Sequence, residues 1–362
     1  MEPVIETLRR AQHPLPLSSG RGLIYSANPL TAEMRLWWRS SDGTATRQLT
    51  SGVGEYAEPR ASADMQTVAA TLYELRQALT RIAADPTAPA TSLVTDGFLG
   101  DLDPVISPSG DRMAFSSSRA GNRHIWISRL DGSDPRPLTS GPSEDDRPAF
   151  SPDGTRIAFS SERGSSRGIW VMSADGGAPT KIADGTLSGG LTWTHDGQHI
   201  VYGAAAGAGP GLWKVPVTGG SPVRLTTPFF ASEPVTAPNR DVIAYISAKR
   251  DGMRAISQVG FVDSNGNALY TNLPQRSAAD QFANGVLGWS PDGRRLAVLR
   301  QQGNFPASVW IVEPEAAQPY TKLLEFPPGP RVRGVAWTPD GKALIVGKHD
   351  WTSDIVVLDQ GR

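Results

Sequence analysis

The chain has 362 residues, no cysteine, and 35 Lys and Arg against 36 Asp and Glu. The lack of cysteine excludes disulfides, thiolate nucleophiles and Cys-ligated metals, and the balanced charge does not favour a nucleic-acid-binding protein. The sequence has no run of about 18 apolar residues, so it predicts no membrane-spanning helix. The 38 glycines and 30 prolines suit a fold of many short strands and turns.

The N-terminal residues lack the charged-then-apolar pattern of a signal peptide. A thiol-free chain nevertheless suits an oxidising compartment, so a periplasmic or other extracytoplasmic location is favoured over the cytoplasm. For an exported protein, we expect a signal segment or an upstream domain to precede Met1 in the natural gene product.

One unit of strand, turn, strand, loop, strand and turn recurs along the chain. Its clearest copy spans residues 147–177, where the turn S-P-D-G (151–154) separates two short apolar strands. Related turns are S-P-S-G (107–110), T-H-D-G (194–197), S-P-D-G (290–293) and T-P-D-G (338–341). Degenerate copies are S-S-G (18–20), S-A-D-M (62–65) and A-P-N-R (237–240).

In chain order, these repeats predict an all-β fold, a single closed β-propeller of four-stranded antiparallel blades over residues 1–362. Eight blades are predicted, with seven as the alternative, at residues 11–50, 56–96, 101–140, 144–184, 188–227, 231–281, 282–326 and 331–360. The second repeat has Leu72, Leu75, Leu79 and Ile82 at helical spacing, but its register with the neighbouring repeats favours strands.

The two ends of the chain predict how the ring closes. Residues 3–9 form a surplus strand ahead of the first repeat, and the last repeat is one strand short. Pairing the two completes the last blade and removes open sheet edges. In each repeat, a large residue on the third strand is predicted to be a buried wedge between blades, as at Trp126, Trp170, Trp213 and Trp310.

The S-P-D-G-x-x-I-A-F…I-W…D-G-G…L-T unit resembles the TolB-like, or PD40, β-propeller repeat, which is WD40-like. The resemblance covers nearly the whole chain, with clean matches at 104–140, 148–183 and 289–311. It implies four-stranded blades around a channel, six to eight in number, and usually a role in binding. Bacterial members include the periplasmic TolB propeller, sensor propellers and the gating propellers of prolyl-oligopeptidase-type peptidases.

Two positions on the first strand of each repeat carry the candidate site. They lie seven and nine residues before the turn glycine, and the period of two predicts that both face the channel. The predicted channel mouth comprises His13, Glu58, Asp101, Asp103, Asp145, Arg147, Glu233 and Asn284. Such acids would favour a cation, either calcium at Asp101 and Asp103 or a partner's Lys or Arg. The alternative is that these side chains line a wet channel and neutralise one another.

The leading functional prediction is a non-catalytic, monomeric scaffold without a cofactor that recognises a protein or peptide at the channel face. The alternative is an enzyme, either a metal-dependent lyase or hydrolase or the gating propeller of a serine peptidase. G-S-S-R-G (164–168) matches the nucleophile-elbow pattern only formally, because it lies in an inter-strand loop without an α/β sheet. The peptidase version also needs a further domain carrying Ser, Asp and His.

Overall fold

The computed structural model describes residues 8–359 except 18–19, 21, 30–33, 51–54, 63–66, 85–91, 94–99, 164–165, 186, 205–208, 227–229, 252–253, 272, 274–285, 301–305 and 327–330. The described residues form antiparallel β-sheets and contain no α-helix, which confirms the all-β prediction. In the second repeat, the four residues at helical spacing all lie in one strand, Thr67–Ala83, as the register of the repeats predicted. Most of the predicted closing strand at 3–9 lies outside the described residues.

The chain divides into two compact units, residues 1–76 with 350–362, and residues 77–349. In the first unit, one sheet has the order β1 (Leu8–Pro16), β2 (Leu23–Pro29), β3 (Arg35–Arg39) and β4 (Thr46–Gln48). A hairpin joins β5 (Glu55–Ala61) to the earlier part of β6 (Thr67–Ala83). Ile24, Leu36, Val68 and Ala70 pack together as its core.

The described residues of the second unit form five sheets of four sequential strands each. They are β8 (Leu102–Ile106), β9 (Arg112–Ala120), β10 (Asn122–Arg129) and β11 (Arg136–Pro137); β12 (Glu144–Phe150), β13 (Arg156–Arg163), β14 (Ser166–Ser173) and β15 (Thr180–Asp184); β16 (Leu187–Trp193), β17 (His199–Ala204), β18 (Gly211–Pro216) and β19 (Val223–Arg224); β20 (Ala231–Thr236), β21 (Ile243–Asp251), β22 (Arg254–Val262) and β23 (Ala268–Leu269); and β24 (Val286–Trp289), β25 (Leu296–Arg300), β26 (Ser308–Val312) and β27 (Tyr320–Glu325).

A sixth sheet in the second unit combines the two ends of that unit. β28 (Arg331–Trp337) pairs with β29 (Ala343–Asp359), the later part of β6 follows, and β7 (Ser92–Leu93) pairs with β6. The N–H of Ala84 donates to the carbonyl of Lys342 at 2.8 Å. Strands of the second and eighth predicted repeats therefore share this sheet.

The first strands of these six sheets follow one another in space. β8 contacts β12, and the contacts continue through β16, β20, β24 and β28 back to β8. Each pair of neighbouring sheets buries an apolar cluster; Leu79 and Ile345 pack with Met113 and Phe115 between the last sheet and the first. Burial between sheets explains why the repeats assemble, since one such sheet cannot cover both of its own faces.

The repeated turns of neighbouring sheets pack against one another in the same cyclic order as the first strands. In the S-P-D-G turn, Asp153 accepts hydrogen bonds from the Ser151 hydroxyl and from the backbone and hydroxyl of Thr155, which lower its pKa to about 2. The proline of one turn packs beside the glycine of the next turn. A Cβ at Gly154 would meet Pro108 at 3.4 Å, and a Cβ at Gly110 would meet Pro339 at 2.5 Å.

A β-bulge interrupts most of the first strands. In three sheets of the second unit the two unpaired residues are Asp103-Pro104, Arg147-Pro148 and Glu233-Pro234. The residue before each proline has a positive φ, between 51° and 55°. Proline has no N–H for the ladder and is tolerated at bulges, so these pairs mark where the strand changes the direction of its side chains.

The four third-strand tryptophans predicted to be buried wedges pack against the apolar clusters between sheets, although none of them is fully buried. All four side chains are half-buried, and an arginine guanidinium lies over the ring in Trp126, Trp170 and Trp213. The guanidinium of Arg119 lies 4.9 Å from the centroid of the Trp126 ring, and Arg163 lies 4.9 Å from that of Trp170. Among the described residues, the buried tryptophans are Trp37, on the third strand of the first sheet, and Trp193, Trp289 and Trp337, which end first strands.

Candidate functional site

A cavity of about 530 Å³ lies among the first strands of the second unit. All six of these strands contribute to its lining, and each is the edge strand of its sheet. The bulge residues surround one end. The turn residues Pro108, Pro152, His195, Pro238, Pro291 and Pro339 surround the other, and all six are exposed.

Asp103 and Arg333 form an ion pair at the bulge end of the cavity. The Nε of Arg333 donates to Oδ1 of Asp103 at 3.1 Å, and the two residues come from the first and last sheets of the unit. Gly334, with φ of 76°, allows this approach, because a Cβ there would lie 2.6 Å from Pro104 and 2.9 Å from the Asp103 Cα. The charge of Asp103 raises the pKa of Arg333, which therefore stays protonated.

Arg147 lies on β12 and Glu233 on β20, and their side chains face each other across β16, the first strand of the sheet between them. Nη1 of Arg147 is 3.8 Å from Oε1 of Glu233, and the side chains are 28% and 25% exposed. The backbone N–H of Gly190, on the intervening strand, donates to Oε2 of Glu233 at 3.1 Å. A Cβ at Gly190 would lie 3.0 Å from that oxygen, so glycine keeps the space between the two charges open.

Two carboxyl groups in this region are hard to ionise. Burial raises the pKa of Glu233, the charge of Asp103 adds to the rise, and Arg147 opposes it. Burial also raises the pKa of Asp146, again with a contribution from Asp103, although Arg147, Arg123 and Arg333 oppose it. Asp146 and Arg147 share a smaller adjoining cavity of about 120 Å³. Burial therefore makes both carboxyl groups costly to ionise, although an arginine lies 3.8 Å from each of them.

The structure brings only some of the predicted site residues together. Asp103, Arg147 and Glu233 line the cavity. Asp101 and Asp145 do not face it, contrary to the prediction, because the bulge breaks the period of two within the strand. They are 1% and 0% exposed and lie buried between sheets.

Each of these two buried aspartates has a partner within its own sheet. Asp101 binds Arg119 at 2.5 Å. Asp145 accepts from Ser161 at 2.5 Å and from Arg163 at 3.3 Å, and its Oδ2 lies 3.6 Å from Nδ1 of His124. These arginines are the ones that stack on Trp126 and Trp170, so both aspartates hold inter-sheet packing in place.

Three further residues were predicted to line the channel mouth. His13 and Glu58 occupy bulges of positive φ in the first unit, where both are exposed. Asn284 lies outside the described residues. Within the described part of the chain, no three His, Asp or Glu side chains are grouped to hold a metal ion, so calcium at Asp101 and Asp103 stays an untested prediction.

Sequence reasoning missed Asp146 and Arg333. Both lie one residue before a bulge residue, where simple alternation would turn the side chain away from the channel. The proline after Asp103, Arg147 and Glu233 was the available signal, since proline inside a strand marks a bulge.

Comparison with known proteins identifies the family. The family model described as TolB beta propeller domain matches residues 24–279. The chain belongs to this family. No curated protein matches this chain.

Solved structures resemble this TolB-family chain in fold. TolB from Acinetobacter baumannii aligns over 94% of this chain and 81% of its own, with 14% identity and a TM-score of 0.51. A chain of the Nidogen/Laminin complex aligns over 78% of this chain and 98% of its own, with 11% identity and a TM-score of 0.51. At such identities the likeness concerns the fold alone.

Proposed function

We propose that this protein is a non-catalytic scaffold that recognises a protein or peptide segment at the cavity of residues 77–349. The main support is the edge position of all six strands around the cavity. The free edge of such a strand has backbone N–H and C=O groups that an extended peptide can pair with. Charged side chains at one end and exposed prolines at the other provide polar and apolar contacts for the same segment.

The hydroxyl groups around the cavity have structural roles, which favours binding over hydrolysis. The Ser151 hydroxyl donates to Asp153 and accepts from the N–H of Arg156 at 2.9 Å. Ser107 has the same relation to Asp111 and Arg112. A hydroxyl that closes its own turn is a poor candidate for a nucleophile, which needs an adjacent base instead.

Residues 77–349 are proposed to be the complete ring, with six blades. The cyclic strand contacts and the packing of Pro339 beside Gly110 support this count. A six-bladed ring would replace the eight-bladed one, because strands of the second and eighth repeats contribute to one blade. Closure would then depend on residues 77–93 rather than on residues 3–9.

An extracytoplasmic location is proposed as well. The support is that the chain belongs to the TolB propeller family. The repeats of this chain resemble those of the periplasmic TolB propeller. Among the described residues, no helix has the length and apolar character that crossing a membrane requires. Cell fractionation with a tagged full-length protein tests the location directly.

A pool of random decapeptides, retained on the immobilised full chain and identified by mass spectrometry, tests the proposed function. Thr192 is half-buried in the cavity wall, so Thr192→Trp should fill the cavity and abolish retention of the enriched peptides. Thr321→Trp, on the exposed face of the outer strand β27, is the matched control and should retain them. Equal retention by the two variants would place recognition elsewhere on the molecule.

A further inference from the structure

Arg147, Gly190 and Glu233 form a short charged arc at the bulge end of the cavity. The positive and negative groups stand on either side of a glycine, with their nearest atoms 3.8 Å apart. This distance exceeds that of a hydrogen bond, so the two groups attract each other without completing one. Gly190 fixes the acidic side of the arc by donating to Glu233 from its backbone.

Both charged groups of the arc retain hydrogen-bonding capacity. Among the described residues, no acceptor lies within hydrogen-bond distance of the Arg147 guanidinium, although a guanidinium carries five N–H donors. Oε1 of Glu233 likewise receives no hydrogen bond from the described residues. A donor group and an acceptor group are thus left open side by side, and each is about three-quarters buried.

We propose that this arc binds the free N-terminus of a polypeptide, with the α-ammonium at Glu233 and the first carbonyl oxygen at Arg147. The proposal rests on the proposed peptide-binding function and specifies which part of the peptide is recognised. In an N-terminal residue the ammonium nitrogen and the carbonyl oxygen are about 3 Å apart, given standard backbone bond lengths. That spacing matches two groups whose closest atoms are 3.8 Å apart.

Other charged groups of a peptide fit the arc less well. A lysine side chain satisfies Glu233 but gives Arg147 no acceptor. A C-terminal carboxylate satisfies Arg147 but adds negative charge beside Glu233, Asp103 and Asp146. Burial, with a contribution from the charge of Asp103, raises the pKa values of Glu233 and Asp146, and an ammonium group beside Glu233 favours its ionised form.

The test compares two versions of one decapeptide pool, with free and with N-acetylated amino termini, by retention on the full-length protein. Acetylation removes the positive charge and leaves the rest of each peptide unchanged. We expect free peptides to bind about 10-fold to 100-fold more tightly, as for the loss of one charge-assisted hydrogen bond. Glu233→Gln should abolish this preference, whereas Glu325→Gln, on the exposed end of β27, should leave it intact.

Each outcome bears on a different claim. Equal binding of free and acetylated peptides, with both lost in Thr192→Trp, would overturn this inference and leave the cavity as the peptide site. A preference that persists in Glu233→Gln would also overturn it. Retention of neither pool would overturn the proposed function and this inference together. Thermal unfolding of each variant shows that the folded protein is being compared.

Discussion

At the scale of single residues, Glu233 has a carboxyl group whose burial opposes ionisation. Its pKa in the folded protein is raised above the value of about 4.3 expected in the unfolded chain. The folded state therefore binds more protons in the window between the two values, and stability falls as the pH rises through that window. Above it, the ionised carboxylate opposes folding to its full extent.

We predict that Glu233→Gln is more stable than the parent protein at neutral pH, since glutamine has the same shape and never ionises. The difference should disappear below about pH 4, where the parent side chain is neutral in both states. Urea unfolding at a series of pH values measures this, with Glu325→Gln as an exposed control. A Glu233→Gln protein that is less stable at pH 7 would show that the pairing with Arg147 outweighs the burial.

The sequence identified Asp103, Arg147 and Glu233 as site residues because they recur at one position of the repeat. It misplaced Asp101 and Asp145 because alternation was assumed through the whole strand. The bulge at each X-Pro pair changes the direction of the chain, so residues two apart no longer face the same side. The pairing of Arg333 with Asp103 links positions 230 residues apart, which no local pattern reveals.

At the scale of elements, the strands and turns of the repeats were largely predictable from local patterns. Apolar runs bounded by S-P-D-G turns became the paired strands that those signals indicate. The second repeat shows the limit of such patterns, because its apolar spacing alone suggested a helix. Pairing with neighbouring strands decided the outcome there, as tertiary context commonly overrides local preference.

The turn glycines allow a matched test of how the sheets meet. Gly110 and Gly197 occupy the same turn position, with φ of 76° and 67°, so alanine introduces similar backbone strain at both. A Cβ at Gly197 would lie 3.6 Å from Pro152, an ordinary contact, whereas a Cβ at Gly110 would lie 2.5 Å from Pro339. Only the second position is overpacked by the added methyl group.

We predict that Gly197→Ala lowers the free energy of unfolding by roughly 1–2 kcal/mol, the strain of a left-handed residue. Gly110→Ala should lower it by roughly 1–3 kcal/mol more, the usual effect of overpacking. Equilibrium urea unfolding of the two variants gives the difference. Equal effects would mean that Pro339 does not pack on Gly110, and hence that the last and first sheets are not in contact there.

At the scale of the whole molecule, the number of repeats does not by itself establish the number of blades. Eight copies of a turn can be counted in the sequence, but the count does not say which strands share a sheet. β6 has 17 residues, and its later part lies beside β29. In the second unit, the second repeat therefore adds a strand to the sheet of the eighth repeat. Such pairing depends on contacts between distant segments, which the periodicity of a single repeat cannot encode.

The proposed six-bladed ring predicts that residues 77–93 close the second unit. Within this segment Leu79 and Ile82 are 0% and 5% exposed, and they belong to the apolar clusters on the two faces of the last sheet. A chain of residues 77–349 should therefore unfold in a single cooperative transition. A chain of residues 94–349 lacks both side chains and leaves β29 without its neighbour. Its free energy of unfolding should be lower by more than about 4 kcal/mol, since losing each large buried side chain costs about 2–5 kcal/mol.

Circular dichroism during urea unfolding compares the two chains, and Leu79→Ala in the longer chain should give an intermediate loss. Equal stability of the two chains would mean that the ring closes by some other pairing, and the eight-bladed arrangement would then be favoured.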